Sequence, residues 1–217
     1  AETHPERVTE LVLRGIFTLR RWELQWYYQH GASLLFPDKW ERFVALIPEA
    51  ERGDLMAAYH RRLTGKDREM QLRAAAEWAR WEGETITLLP DPDVSSTFYD
   101  PIYALAFARI ENHFFVHAGW MEEGQLLRDA HKLKSIPGVI IQGRYDTACP
   151  PQTAWDLLHD ILASLPDPVL LVDDSDARGD GHDHRLPAAT SDGPLGRHGR
   201  FRLASLRSTR NQRQRRL

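Results

Sequence analysis

One cysteine, Cys149, occurs in the 217-residue chain, which excludes an internal disulfide and indicates a reducing compartment. Long apolar runs are missing as well, and a stretch as short as Val139–Ile141 cannot cross a lipid bilayer. No secretory signal opens the chain, because residues 1–6 are polar and acidic. With 42% hydrophobic and 27% charged residues, the composition is that of a globular protein. We therefore expect a cytoplasmic protein that does not use a membrane.

Two further absences concern the ends of the chain. Residue 1 is alanine and the first methionine is Met56, so we expect the chain to be a piece of a longer protein. Residues 196–217 hold eight arginines and no acidic residue, which leaves 20 basic against 31 acidic residues, a net charge of −11, in residues 1–195. This contrast predicts an acidic body with a separate basic tail. Such a tail could neutralise nucleic-acid phosphates, although it has no aromatic interleaving and no folded reading element.

Hydrophobic spacing predicts a strand, a long helical insertion and then further strands. Val8–Gly15 is typical of a short buried strand, and Gly138–Gly143 of a strand buried on both faces. Three-to-four spacing of apolar residues and helix start signals predict helices at about 37–43, 50–63, 67–81 and 104–115, and an aromatic-rich helix or turn at about 19–29. A helix at 154–165 and a strand at 168–172 complete the pattern. The order predicts an α/β sheet interrupted by helices, followed after Asp173 by a tail without periodicity.

A carboxylate, Asp146, comes directly after the predicted strand 138–143. The carboxyl ends of parallel strands are where α/β sheets place their active groups. In an α/β-hydrolase, an aspartate at this place orients the catalytic histidine and stabilises its charged form. The alternative is an ordinary turn aspartate that accepts hydrogen bonds from neighbouring backbone amides.

Six blocks of sequence, in order from residue 4 to about residue 158, resemble proline iminopeptidases. The blocks are 4–8, 13–17, 31–38, 81–83, 108–114 and 136–146, and they include Leu-Arg-Gly-Ile-Phe and Arg-Ile-Glu-Asn-His-Phe. The resemblance implies a serine peptidase of the α/β-hydrolase fold that releases an amino-terminal proline from peptides. It also implies a division into a core strand (1–18), a helical cap (19–132), the C-terminal part of the core (133–173) and a divergent, disordered tail (174–217).

The resemblance also assigns roles to five residues. Asp146 matches the acid of the catalytic triad, and Glu82 and Glu111 match cap glutamates that hold the amino terminus of the substrate. Phe17 and Tyr27 match positions that line an apolar slot for the pyrrolidine ring. Read without the resemblance, the glutamates would be solvated residues of amphipathic helices, and the two aromatic residues would be ordinary core.

The histidines carry weaker signals. We expect His113, beside Glu111, to be a packed residue of the helical insertion. His182 and His184 alternate with aspartates, but this stretch is acidic and its ligand set is incomplete, so we predict no metal site. No cofactor is predicted either.

The nucleophile of a serine hydrolase is missing from the printed sequence. No serine has glycine at both −2 and +2, as the sharp Gly-x-Ser-x-Gly turn requires, and no His-Gly-Gly-Pro-Gly segment is present. The resemblance places both upstream of residue 1, and it places the triad histidine nearer to Asp146 than the weak candidate His182. We therefore expect a C-terminal fragment with a tail from a shifted reading frame or a fusion. Such a fragment would be poorly soluble and inactive alone.

Two alternatives remain open at this point. The chain could belong to another capped α/β-hydrolase, an amidase or esterase that uses the glutamates differently. It could also be a nucleic-acid-binding protein that uses the arginine tail. The sequence predicts no oligomeric state.

Overall fold

The computed structural model describes residues 1–87, 96–162, 169–173 and 204–206, and its strands form one parallel sheet. Across the sheet the strands are β1 (Leu11–Arg14), β2 (Gly138–Gly143), β3 (Val169–Asp173) and β4 (Ala204–Leu206). Leu11 in β1 is opposite Gly138 in β2, so these neighbours in the sheet are far apart in sequence. β4 belongs to the part of the chain for which we expected no regular structure.

Helices fill the interval between β1 and β2 and also follow β2. Within the described ranges they are α1 (Arg21–Tyr28), α2 (Ala32–Leu35), α3 (Pro37–Ala45), α4 (Leu55–Thr64), α5 (Arg68–Thr85), α6 (Pro101–Val116), α7 (Gln125–Asp129) and α8 (Pro151–Leu162). The predicted order of strand, helices, strand, helix and strand is thereby confirmed. In the part of the chain that is described, no helix is long and apolar enough to cross a membrane.

Aspartate side chains begin the three helices that form the centre of the insertion. Asp54, Asp67 and Asp100 each accept a hydrogen bond from the backbone N–H three residues later, at 3.0, 3.1 and 2.7 Å. Each bond satisfies one of the free donors at a helix start, and Pro101 fits the first position of α6, where no backbone donor is needed. α4, α5 and α6 then pack against one another.

Two separate hydrophobic clusters stabilise the chain. The larger lies within the helical insertion and includes Phe43, Tyr59, Trp78 and Trp81. The smaller lies between the sheet and α8 and includes Ile140, Leu157 and Leu158. Partly buried Ala148, just after β2, packs against the larger cluster and therefore joins the end of the sheet to the helices.

The burial predicted for the first two strands is wrong on one face of each, both for β1, expected to be a short buried strand, and for β2, expected to be buried on both faces. Val12 is 59% exposed, whereas Leu11 and Leu13 on the opposite face pack against the smaller cluster. In β2, Ile140 and Gln142 are buried, whereas Val139 and Ile141, which alternate with them along the strand, are only half-buried. Because side chains alternate along a strand, α8 covers one face of these two strands, and no described element buries the other to the same degree.

Candidate functional site

Glu82 is a buried carboxyl group in the last turn of α5, and its side chain meets two tyrosines of α1. The residue is 6% exposed, so the expectation of a solvated helical glutamate is wrong for it. The Tyr28 hydroxyl donates a hydrogen bond to Glu82 Oε1, and the Tyr27 hydroxyl donates one to Glu82 Oε2 at 3.3 Å. Both tyrosines are themselves buried, so α1 supplies a dry, hydrogen-bonding wall to this carboxyl group.

Glu111 lies on α6 and faces the same cluster of side chains. The residue is half-buried, and its Oε2 accepts a hydrogen bond of 2.8 Å from the indole nitrogen of Trp78, a fully buried residue of α5. Trp78 precedes Glu82 by one helical turn, which places both residues on one face of α5. The packing of α5 against α6 therefore brings the two glutamates together.

Burial changes the protonation of both carboxyl groups. Desolvation and the nearby charge of Glu111 raise the pKa of Glu82 well above 4.5, even though hydrogen bonds from Tyr28 and Tyr27 act in the opposite direction. Desolvation also raises the pKa of Glu111 to about 7, against hydrogen bonds from Trp78 and Tyr28. Two neighbouring carboxyl groups with raised pKa values are able to bind one cation and give up a proton as they do so.

Aromatic rings enclose the pair of glutamates. Tyr28 stacks on Trp78 with ring centres 4.5 Å apart, and Tyr27 lies 5.6 Å from Trp81. Phe115, one turn after Glu111, contacts Tyr28 at 5.4 Å. Phe17, which is 36% exposed, meets the edge of Phe115 at 5.7 Å and so marks the side of the cluster nearest to solvent.

Asp146 lies at the carboxyl end of β2, as predicted, and accepts hydrogen bonds through both oxygens. Oδ1 accepts the backbone N–H of Cys149 at 2.8 Å, and Oδ2 accepts the side-chain amide of Gln142 at 3.2 Å. Gln142 is buried. Its side-chain oxygen accepts a hydrogen bond from the backbone N–H of Ile16, and its side-chain nitrogen donates one to the backbone carbonyl of Cys149. Asp146 therefore accepts a hydrogen bond from a backbone amide of its own turn, as an ordinary turn aspartate does. It also lies at the end of a strand, where α/β sheets place their active groups.

Hydrogen bonds link the residue that follows Asp146 to the partners of Glu82. Thr147, the next residue, donates from its hydroxyl to the backbone carbonyl of Thr85 at 2.7 Å. The Thr85 hydroxyl lies 2.6 Å from that of Tyr27, which in turn reaches Glu82. Because the Thr85 hydroxyl donates its proton to the carbonyl of Trp81, the single Tyr27 proton is shared between the Thr85 hydroxyl and Glu82.

Cys149 lies among these carboxylates and is kept as a neutral thiol. Burial raises its pKa to about 12, with further contributions from the charges of Asp146, Glu82, Glu23 and Glu111. A thiol with this pKa is not a nucleophile at neutral pH, which agrees with the absence of a nucleophile turn around Cys149. The same interactions indicate that the end of β2 and the two glutamates belong to one acidic region.

The structure brings together Glu82, Glu111 and Tyr27, joins Phe17 to them through Phe115, and places Asp146 at the adjoining sheet edge. The prediction missed Tyr28, Trp78 and Phe115. The signal for two of them was spacing, because Trp78 lies four residues before Glu82 and Phe115 four residues after Glu111. The weak histidine candidate, His182, lies outside the described residues.

Replacing Glu82 by glutamine is expected to change how stability depends on pH. The folded protein holds the Glu82 proton up to a higher pH than the unfolded chain does, so this group lowers the free energy of unfolding as pH rises above about 4.5. The slope is about 1.4 kcal/mol per pH unit up to the folded-state pKa. Glu82→Gln should remove this contribution and leave the variant more stable than the parent at pH 7. Urea unfolding between pH 5 and 7.5 measures it, with the exposed Glu69→Gln as control; equal slopes in both variants would contradict it.

Proteins of known name match most of the chain. A proline iminopeptidase of Xylella fastidiosa (strain 9a5c) is 60% identical over 158 residues, which is 72% of this chain and 50% of the relative. A probable proline iminopeptidase of Leptolyngbya boryana is 49% identical over 173 residues, 79% of this chain and 53% of the relative. The proline iminopeptidase of Arabidopsis thaliana is 48% identical over 159 residues, 72% of this chain and 42% of the relative.

No protein-family model matches the chain. The chain spans about half the length of the curated relatives it matches. The resemblance predicted from the sequence blocks is nevertheless confirmed by several relatives that carry the same name. Over about seven-tenths of its length, the chain is therefore homologous to one half of a proline iminopeptidase.

Proposed function

We propose that this chain is the part of a proline iminopeptidase that recognises the free amino-terminal proline of a peptide. In this proposal α1 to α6 form the helical cap of an α/β-hydrolase, and the strands with α8 form part of its core. The observation that carries the proposal is the buried Glu82 beside Glu111, inside a ring of aromatic side chains. Because the single cysteine of the printed chain favours a reducing compartment, the parent protein would act on peptides in the cytoplasm.

The amino-terminal proline of a peptide carries a secondary ammonium group on a compact apolar ring. Glu82 and Glu111 would bind the cation through charge-assisted hydrogen bonds, which are about twice as strong as neutral ones. Tyr27 and Phe17 would contact the pyrrolidine ring. Because both carboxyl groups have raised pKa values in the empty site, binding of the cation is expected to release protons.

Selectivity for a free amino terminus follows from the same burial. An internal proline, or one that carries an acyl group, has no cation to offer the two carboxyl groups. Such a ligand would have to leave them protonated or unpaired in a dry site, and either outcome costs binding free energy. Discrimination would therefore come from the penalty on the wrong ligand as much as from contacts to the right one.

Asp146 would be the acid that orients the catalytic histidine of the complete enzyme. The printed chain contains no Gly-x-Ser-x-Gly turn, so the serine nucleophile would come from another part of the parent protein. On this basis the chain alone binds amines but does not hydrolyse proline arylamides. Proline release would require the nucleophile and the histidine to be supplied.

Calorimetric titration of the 217-residue chain with L-prolinamide tests the proposal. We expect L-prolinamide to bind and both N-acetyl-L-prolinamide and cyclopentanecarboxamide, which lack the cation, to bind at least about tenfold more weakly. Titration at pH 7.5 in two buffers of different ionisation enthalpy should reveal net proton release. Equal binding of all three ligands would contradict the proposal and favour an amidase or esterase whose cap uses the glutamates differently.

A further inference from the structure

Glu23 is a buried carboxyl residue of α1 that the proposed recognition of proline does not use. It is 1% exposed and occupies the third position of the helix, one turn before Tyr27. Its Oε2 accepts the backbone N–H of Arg20 at 2.7 Å, as a glutamate at this position of a helix often does. Glutamates are almost never fully buried unless they are paired, so this capping bond alone does not account for the burial of Glu23.

The other three hydrogen bonds of Glu23 lead away from its own helix. Thr18 donates two of them, from its backbone N–H to Oε1 at 3.2 Å and from its hydroxyl to Oε2 at 2.9 Å. The hydroxyl of Thr153, a fully buried residue of α8, donates to Oε1 at 2.6 Å. Glu23 therefore accepts from four donors, which is as many as the two oxygens of a carboxylate can take. Its side chain joins the segment before α1 to α8.

Arg20 provides a second connection between the start of α1 and α8. Its guanidinium group donates from Nη1 to Asp156 Oδ2 at 2.9 Å and from Nη2 to Thr153 Oγ1 at 3.3 Å. Arg20 Nε also lies 3.8 Å from Glu23 Oε2, so the positive charge is next to the buried carboxyl group. The bond between Arg20 and Asp156 links the same two helices without passing through Glu23.

The segment that Glu23 contacts before α1 contains Phe17. Residues 16–19 belong to neither a strand nor a helix, so the hydrogen bonds of regular structure do not fix their backbone. Two buried polar side chains accept its N–H groups instead. Gln142 Oε1 accepts the N–H of Ile16 at 2.8 Å, and Glu23 accepts that of Thr18. The position of Phe17 is therefore determined on one side by Gln142 and on the other by Glu23.

Leu19, the next residue but one after Phe17, has an unfavourable backbone conformation. Its φ angle is 61°, a region that costs free energy for a residue with a side chain. The Leu19 side chain packs against the larger hydrophobic cluster. Strain of this kind persists only where the surroundings fix the backbone, and Glu23 accepts the N–H groups of both Thr18 and Arg20, which flank Leu19. Glu23 thus stabilises a turn that would otherwise relax.

We propose that Glu23 is a positioning residue for the apolar slot formed by Phe17 and Tyr27, an inference that rests on the proposed function. Glu23 fixes Phe17 through Thr18, and it fixes Tyr27 because both residues lie on α1. It does not touch the ligand, and its effect comes from the placement of the two rings that do. Its loss should fall mainly on contacts with the pyrrolidine ring, since the carboxyl groups proposed to bind the cation are on α5 and α6.

Calorimetric titration of the 217-residue chain with L-prolinamide and with sarcosinamide at pH 7.5 separates the ring from the cation. Sarcosinamide has the same secondary ammonium group but lacks two carbon atoms of the ring. We expect the parent to bind L-prolinamide about tenfold more tightly, the effect of burying about two more methylene groups. This ratio should fall to about threefold or less in Glu23→Gln, because glutamine has one acceptor oxygen and leaves two of the four donors without an acceptor.

Phe17→Ala shows whether Glu23 acts through Phe17. This substitution should itself lower the ratio of the two affinities, because it removes one wall of the slot. Glu23→Gln should then lower the ratio less than it does in the parent, since changes within one connected unit are not additive. Thr18→Val is a milder variant that removes one donor to Glu23 and keeps the size of the side chain, and it should give a smaller fall in the ratio.

Asp156→Asn is the matched control, because it weakens the connection between α1 and α8 without removing a bond of Glu23. It should leave the ratio unchanged. An equal fall in Asp156→Asn and Glu23→Gln would overturn the proposal, since general loosening of α1 would then be the cause. So would an unchanged ratio in Thr18→Val, or in Glu23→Gln where that variant folds. If the parent chain did not bind L-prolinamide, the proposed function would fail and this inference with it, whereas binding with an unchanged ratio overturns this inference alone.

Discussion

Replacing Glu111 by glutamine is expected to weaken binding of L-prolinamide by about 10–100-fold, and replacing Glu82 and Glu111 together to abolish measurable binding. A hydrogen bond to a charged group contributes about 1.5–3 kcal/mol, and 1.4 kcal/mol corresponds to a factor of ten in affinity. Glutamine keeps the size of the side chain and a hydrogen-bond acceptor for Trp78, so the change is confined to the charge. Calorimetric titration at pH 7.5 measures the effect.

The control for these variants is Glu69→Gln, a change of the same kind at an exposed position of α5. Its affinity for L-prolinamide should equal that of the parent. Stability provides a second control, because both carboxyl groups have raised pKa values, so neither substitution should lower the free energy of unfolding at this pH. A variant that folds at least as well and binds worse cannot owe its lost binding to unfolding. If the double variant bound L-prolinamide as tightly as Glu69→Gln does, the glutamates would not be the amine site.

Trp78→Ala is expected to lower the free energy of unfolding by about 3–5 kcal/mol, the range for removal of a large buried aromatic side chain. Trp78 is fully buried, stacks on Tyr28, and contacts Tyr59 at 5.4 Å and Phe43 at 6.0 Å. The substitution would leave a cavity at the centre of the helical cluster. Because whole domains are stable by only about 5–15 kcal/mol, a large fraction of this variant would be unfolded under mild denaturing conditions.

Trp78→Phe separates packing from hydrogen bonding at the same position. It keeps an aromatic ring beside Tyr28 but removes the indole N–H that Glu111 accepts, so its loss of stability should be smaller than that of Trp78→Ala. Trp155→Ala serves as the control, since Trp155 on α8 is 47% exposed. Urea unfolding at pH 6 measures all three. The prediction fails if Trp78→Ala costs no more than Trp155→Ala.

Much of the fold follows from local pattern. The spacing of apolar residues and helix start signals predict α1, α3, α4, α5, α6 and α8 to within about five residues, but not the short helices α2 and α7. The apolar run 138–143 predicts β2 and, with it, the position of Asp146 at the end of a strand. The periodicity does not predict which faces of a strand are covered. Val12 is exposed because coverage depends on what packs against the sheet, and α8 packs on the other face.

The candidate site likewise has residues that the sequence predicts and contacts that it does not predict. Glu82, Glu111 and Tyr27 could be named from the resemblance of short blocks, each of which is a local property of the chain. The sequence does not predict that the Tyr28 hydroxyl and the Trp78 indole are hydrogen-bond partners of the glutamates, because those bonds join α1 to α5 and α5 to α6. The exposure of His113 is a similar case, because we expected a packed residue, but its burial depends on which elements pack against the end of α6.

The sequence by itself therefore determined the order of helices and strands, the acidic body with its basic tail, and the family resemblance that names the two glutamates. These are features of composition, period and short motifs, and each is complete within a few turns of chain. Only the tertiary structure decided that Glu82 is buried beside Glu111 and that their pKa values are raised. Burial and charge proximity are properties of the packing between helices, and the pKa of a carboxyl group responds to both.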